Sequence, residues 1–149
     1  MDETVKAAVQ AAARSLARCE QCRAGLERKL IQKEFDAQTI KSALDFLEEK
    51  NYLNDERFAA SWIRTHCAFR PQGRIRLERE LCVRGVSREI ARNAVDSYFE
   101  TVDELELCEQ AYQKLLLKNK SEQKIMKALA DYGFSYKIIQ QVFKNNKEG

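Results

Sequence analysis

Apolar residues recur along this chain at three- and four-residue intervals, the period of one buried helical face. A short version of the pattern appears three times. Leu30 leads to Glu34, Phe35 and Asp36; Leu81 leads to Gly85, Val86 and Ser87; Leu129 leads to Gly133, Phe134 and Ser135. Each copy reads as a leucine, three residues, a helix-ending position, an apolar residue and an N-cap. An apolar pair follows each at the same offset: Ala43 and Leu44, Ala94 and Val95, Val142 and Phe143. The copies lie 51 and 48 residues apart, a spacing that marks repeated supersecondary units.

The pattern has a physical reading. Gly85 and Gly133 stand where a helix stops, because glycine enters the left-handed C′ conformation without a Cβ penalty. The Ser or Asp two residues on accepts a hydrogen bond from the first free amides of the next helix. Glu34 breaks the rule and either bears strain or ends its helix differently. Asn51, between Leu47 and Tyr52, repeats the C′ logic with the second-choice residue.

Upstream of each pair lies a third amphipathic stretch, over about 4–19, 55–69 and 103–118. In the last, Leu105, Cys108, Ala111, Tyr112, Leu115 and Leu116 share one face. Asp55 and Asp103 suit helix N-termini, by capping or by the macrodipole. No alternating run is long enough for a strand, and the clearest loop is Phe69-Arg70-Pro71-Gln72-Gly73, which holds the single proline. The expected fold is all-α: tandem three-helix repeats over 1–53, 54–101 and 102–149, elongated and forming one continuous repeat domain. Units of about 50 residues have thin cores and lean on each other.

Composition narrows the picture. No apolar run approaches the ~20 residues that span a membrane, and no compact apolar signal segment opens the chain. A soluble, cytoplasmic monomer is expected. Five cysteines, an odd number, read as reduced thiols. Cys82 and Cys108 are expected to pack as small hydrophobes. Cys19-x-x-Cys22 lacks the two further ligands zinc needs, and the single His66 stands beside Cys67, so neither metal nor cofactor is expected. There is no phosphate loop, no His-Glu-x-x-His and no nucleophile dyad, so the chain is expected not to be an enzyme.

Net charge is +3, but its texture is uneven. From Asn51 to Gln113 every Lys or Arg is arginine, and after Arg92 every one is lysine. Arginine offers a planar fork that matches carboxylates and phosphates. The cluster around Pro71-Gln72-Gly73 therefore suits an acidic protein surface or a nucleic-acid backbone. Glu78 and Glu80 sit among these arginines and pair part of the cluster internally. Phe58 and Trp62, one helical turn apart, read as core. Arg76 and Arg79 lie opposite Leu77 and Leu81 and are expected to face outward.

The stretch Tyr52-Leu53-Asn54-Asp55-Glu56-Arg57-Phe58-Ala59, followed by Trp62, Arg64, Arg70, Gly73, Arg74-Ile75, Glu80-Leu81 and Gly85-Val86, resembles the RecX family of bacterial regulatory proteins. Leu16-Ala17-Arg18 through Leu26 to Lys29-Leu30 is similar to that family's first repeat, and Leu129 to Phe134 to its third. The resemblance implies tandem three-helix repeats and a protein that binds the RecA–DNA filament, limiting its recombinase, ATPase and coprotease activities. Asn54, Asp55, Phe58, Trp62, Gly73, Leu81 and Gly85 are then structural motif residues. Arg64, Arg70, Arg74, Arg76 and Arg79 are the candidates for contact with RecA or with single- or double-stranded DNA. The first repeat departs from the family: Cys19 replaces an arginine, Cys22 a serine N-cap and Gly25 a glutamate. The lost cap and the helical glycine each cost ~1 kcal/mol, so a frayed first repeat is expected. The alternatives are a non-specific nucleic-acid binder acting without RecA, whose binding falls steeply with salt, and a helical scaffold for an unrelated protein.

Overall fold

The computed structural model describes residues 1–148, and among them every regular element is an α-helix. The first unit holds α1 (Glu3–Arg18), α2 (Arg23–Gln32) and α3 (Ala37–Glu49). The second holds α4 (Asp55–Cys67), α5 (Arg74–Val83) and α6 (Arg88–Thr101), and the third α7 (Glu104–Leu117), α8 (Glu122–Asp131) and α9 (Tyr136–Glu148).

The turns form as their residues dictate. Gly85 and Gly133 take φ of 102° and 99°, and Asn51 takes 61°. Glu34 enters the same left-handed region at 67°, so its helix ends like the others despite the Cβ. Past each turn the expected caps are in place. Asp36 Oδ1 accepts from Thr39 N at 2.8 Å, Ser87 Oγ from Ile90 N at 3.2 Å and Ser135 Oγ from Ile138 N at 3.3 Å.

Three separate cores result. Leu26, Leu30, Ala43 and Leu44 anchor the first. Trp62, Leu77, Leu81 and Val95 anchor the second, with Phe58 packed against them. Cys108, Leu129, Val142 and Phe143 anchor the third. The extensive helix–helix contacts all lie within a unit. Accessible surface is 9526 Å² for 17.3 kDa, against about 7,800 Å² for a spherical monomer of that mass, as tandem small cores require.

Two expectations about burial are corrected. Leu116 is 40% exposed, because the α7 face that packs inward closes at Leu115 and the helix ends at Leu117. Cys82 is exposed while Cys108 is buried, since α5 turns Leu77 and Leu81 inward and leaves Cys82 on its flank.

Candidate interaction surface

The five candidate arginines do not share one surface. They are distributed around the middle unit, over three grooves and one half-buried position against α6. Arg70 and Arg76 line a groove of about 400 Å³ between α4 and α5, with Trp62, His66, Phe69 and Arg84. Arg79 lines another of about 520 Å³ on the outer flank of α5, with Arg88 and Arg92. Arg64 lies apart, in a groove of about 420 Å³ between α4 and α6.

Arg74 is drawn inward. Its guanidinium pairs with Asp96, approaches Glu104 at 4.0 Å and sits 5.5 Å from the centre of the Phe99 ring. Arg76 is half-buried rather than outward, because α5 meets the third unit there. Its backbone abuts Gly133 and its Nη1 donates to Asp131 O at 3.3 Å. Arg79 is exposed as expected.

Internal pairing takes up part of the basic cluster. Arg84 pairs with Glu80 at 3.0 Å and lies 4.8 Å from the centre of the Trp62 ring, on which His66 stacks at 4.0 Å. Arg92 reaches Glu78 at 3.8 Å. The Arg84 guanidinium, which hydrogen-bonds to Glu80, holds that carboxyl below its usual range. Arg64, Arg70, Arg79 and Arg88 are exposed and have no carboxylate partner within 4.0 Å among the described residues.

Beside Arg70 stands a residue the sequence pattern did not single out. Phe69 is 93% exposed, the most exposed of the large apolar side chains. Aromatic and arginine side chains are the commonest anchors of protein interfaces. The signal in the sequence was the proline loop: Phe69 opens Phe69-Arg70-Pro71-Gln72-Gly73, and α4 ends at Cys67 before reaching it.

The motif residues hold the units together. Asn54, not Asp55, caps α4, accepting from Arg57 N at 2.9 Å. Asp55 reaches back to the preceding unit, where its Oδ1 accepts from Arg23 N, the first amide of α2, at 2.8 Å. Burial raises the Asp55 carboxyl above its usual range, outweighing that hydrogen bond. Gly73 caps the start of α5 at an ordinary φ of −90°. Its lack of a side chain serves close approach, since a β-carbon there would overlap the Gly133 backbone.

The expected fraying of the first repeat is also corrected. Cys22 provides no side-chain cap, but Asp55 supplies the missing acceptor from the next unit. Cys22 is buried, and its Sγ donates to Arg84 O at 3.4 Å. A β-carbon at Gly25 would find ordinary contact with Cys22 Sγ at 3.4 Å, and the glycine lines a groove of about 370 Å³ with Cys22, Trp62 and His66. Among the described residues no group of three or more His, Cys, Asp or Glu is placed to hold a metal ion, and no helix is long and apolar enough to cross a membrane.

Tandem three-helix units around an arginine-rich middle define a helical-repeat protein of the kind that works by presenting a surface. Residues 8–47 match the family description "RecX, first three-helix domain" and residues 54–95 "RecX, second three-helix domain". A Regulatory protein RecX of Treponema pallidum is 33% identical over 138 residues, covering 93% of this chain and 84% of its own. Another, from Chlorobaculum tepidum, is 32% identical over 150 residues, covering 97% and 91%. The crystal structure of RecX from Lactobacillus salivarius superposes with a TM-score of 0.85 over 97% of each chain at 23% identity, and so shares the fold. The chain belongs to the RecX family of regulatory proteins.

Proposed function

We propose that this protein is a cytoplasmic, non-enzymatic regulator that binds the RecA–DNA filament as a monomer and restrains its recombinase, ATPase and coprotease activities. Family membership supports the RecA partner. The observation that supports a binding surface is the exposed set on the middle unit: Phe69 and Arg70 beside one groove of α5, Arg79 and Arg88 beside another, the three arginines having no carboxylate partner within 4.0 Å among the described residues. Arginine forks there match acidic side chains on a protein or phosphates on filament DNA. An elongated molecule reaches more than one protomer, and multivalency then favours the assembled filament over the free subunit.

The test is RecA's DNA-dependent ATP hydrolysis with this protein titrated in below one-to-one. Strong inhibition is expected. Arg79→Glu with Arg88→Glu should raise the half-inhibiting concentration at least ~10-fold, the scale of losing two charged contacts. No inhibition by the wild type at low salt would sink the reading. Salt-sensitive DNA binding without any effect on RecA would instead favour the plain nucleic-acid binder.

A further inference from the structure

The two joints between units are built from the same parts. At the first, the N-terminus of α2 docks on the turn that follows α5; at the second, the N-terminus of α5 docks on the turn that follows α8. Each turn carries a glycine at positive φ, Gly85 or Gly133, and a β-carbon on it would overlap Ala24 or Arg76 of the docked helix. Each turn also offers the carbonyl just before that glycine. Arg84 O accepts from Cys22 Sγ at 3.4 Å, and Tyr132 O accepts from Gly73 N at 2.8 Å. At the second joint backbone amides of a helix N-terminus thus meet free carbonyls of a helix C-terminus, while at the first a thiol and the Arg28 guanidinium do so.

The docked helices share a second property. Neither α2 nor α5 has a side-chain cap of its own. In both cases the first amide is taken by a carboxylate on the first residue of the next unit's leading helix: Arg23 N by Asp55 at 2.8 Å, Arg74 N by Glu104 at 2.9 Å. The third middle helix behaves differently. In α8 the N-cap Ser121 accepts from Lys124 N at 3.3 Å, closing the helix from within. The first unit's turn carries Glu34 where the other two carry glycine. Borrowed caps and bare glycines therefore occur together at the two joints.

We propose that Asp55 and Glu104 are positioning residues, each lending a helix cap across a joint and so fixing the angle at which neighbouring repeats present their surfaces to the partner. These charge-assisted hydrogen bonds to helix N-termini act beside the other joint contacts, the packing of Cys22 and Ala24 on the second core and the Glu20–Arg57 ion pair at 2.7 Å. The link to partner binding rests on the filament reading above; the link to joint geometry does not.

The experiment compares, in the full chain, Asp55→Ala and Glu104→Ala with the conservative Asp55→Asn and Glu104→Gln, which keep an acceptor oxygen. Asn54→Ala is the control, since it removes the cap of α4 and the hydrogen bond to Asn51 while leaving the Asp55 carboxylate in place. Amide exchange at Arg23 and Arg74 is followed by NMR and overall dimensions by small-angle scattering. The alanine variants should speed exchange at least ~10-fold at the matching amide only, change the radius of gyration and weaken inhibition of RecA ATPase, while Asn and Gln restore all three. The proposal is overturned if exchange and scattering do not change. It is also overturned if Asn54→Ala has the same effect, if exchange rises throughout all three cores, or if the joint loosens with inhibition intact. Failure of the filament reading is distinguishable, because it appears in the wild type before any variant is made.

Discussion

The first and second units place the same backbone 51 residues apart, and comparing them sorts scaffold from surface without any other protein. Some positions repeat in role. Arg23 reaches Asp45 and Glu48 of α3, at 2.9 and 2.5 Å, while Arg74 pairs with Asp96 and lies over Phe99 of α6. Leu26 and Leu30 are buried, as are Leu77 and Leu81. Other positions do not repeat. Where the second unit has Arg64, Phe69, Arg70, Arg76 and Arg88, the first has Ala13, Arg18, Cys19, Gly25 and Ala37. The fold is satisfied by both sets, so it does not require the second unit's versions. The exposed arginines without an internal partner are the ones left for a partner; Arg79 is among them, whereas Arg28 at the matching position donates to Arg84 O at 3.1 Å. Arg74, a contact candidate by sequence, falls on the scaffold side of this division.

The core positions should show the largest effects. Leu30→Ala and Leu81→Ala each remove a side chain no more than 1% exposed and should cost about 2–5 kcal/mol, read by urea or thermal unfolding. The two losses should be similar, because the positions are equivalent. A loss confined to one unit would show that the cores are not the matched pair the backbone implies.

The turn positions sharpen the comparison by sign. Gly85→Ala forces a β-carbon into Ala24 at a φ of 102° and should destabilise by more than ~1 kcal/mol. Glu34→Gly, at the matching turn, relieves an exposed left-handed glutamate, and should stabilise by about 1 kcal/mol. Chemical denaturation of both variants reads the difference. Two changes of the same sign would refute the equivalence of the turns.

Arg74 and Arg79 separate scaffold from surface within one helix. Arg74→Ala breaks its pairing with Asp96 and its contact with Phe99, and should cost about 1–2 kcal/mol of stability. Arg79→Ala should stay within about 0.5 kcal/mol while weakening filament inhibition. Equal melting of the two, or normal inhibition by Arg79→Ala, would move the boundary between the classes.

Much of this arrangement was legible before the structure. Gly85, Gly133 and Asn51 announced their turns because left-handed backbone has few acceptable residues, and Asp36, Ser87 and Ser135 announced their caps by position. The joints were not legible. Asp55 has local reasons to sit at the start of α4, and nothing in its neighbourhood says that its oxygen serves Arg23, 32 residues earlier. Cys22 looked like a lost cap for the same reason. Arg76 looked outward because helical periodicity describes one helix and its own core, and its burial comes from the third unit. Periodicity reads contacts within a repeat; contacts between repeats depend on a docking angle that no single window contains.

Acid provides the smallest and most specific contrast. Asp36 caps α3, and the backbone hydrogen bond from Thr39 holds its carboxyl below the usual range. Asp45 is held low by hydrogen bonds from Lys41 and then Arg23. A carboxyl whose folded pKa is depressed contributes stability that is present above its unfolded value, ~3.9, and is lost as pH falls through the folded one. The residues matching Asp36 are Ser87 and Ser135, which carry no charge in this range. Lowering the pH from 5 to below ~3.9 should therefore loosen the start of α3 before the starts of α6 and α9. Peptide-resolved hydrogen exchange across that window measures the order of opening. Asp36→Ser should abolish the difference by giving the first unit the cap of the other two. If α3 still opens first in that variant, the acid sensitivity lies with Asp45 and its partners rather than with the cap.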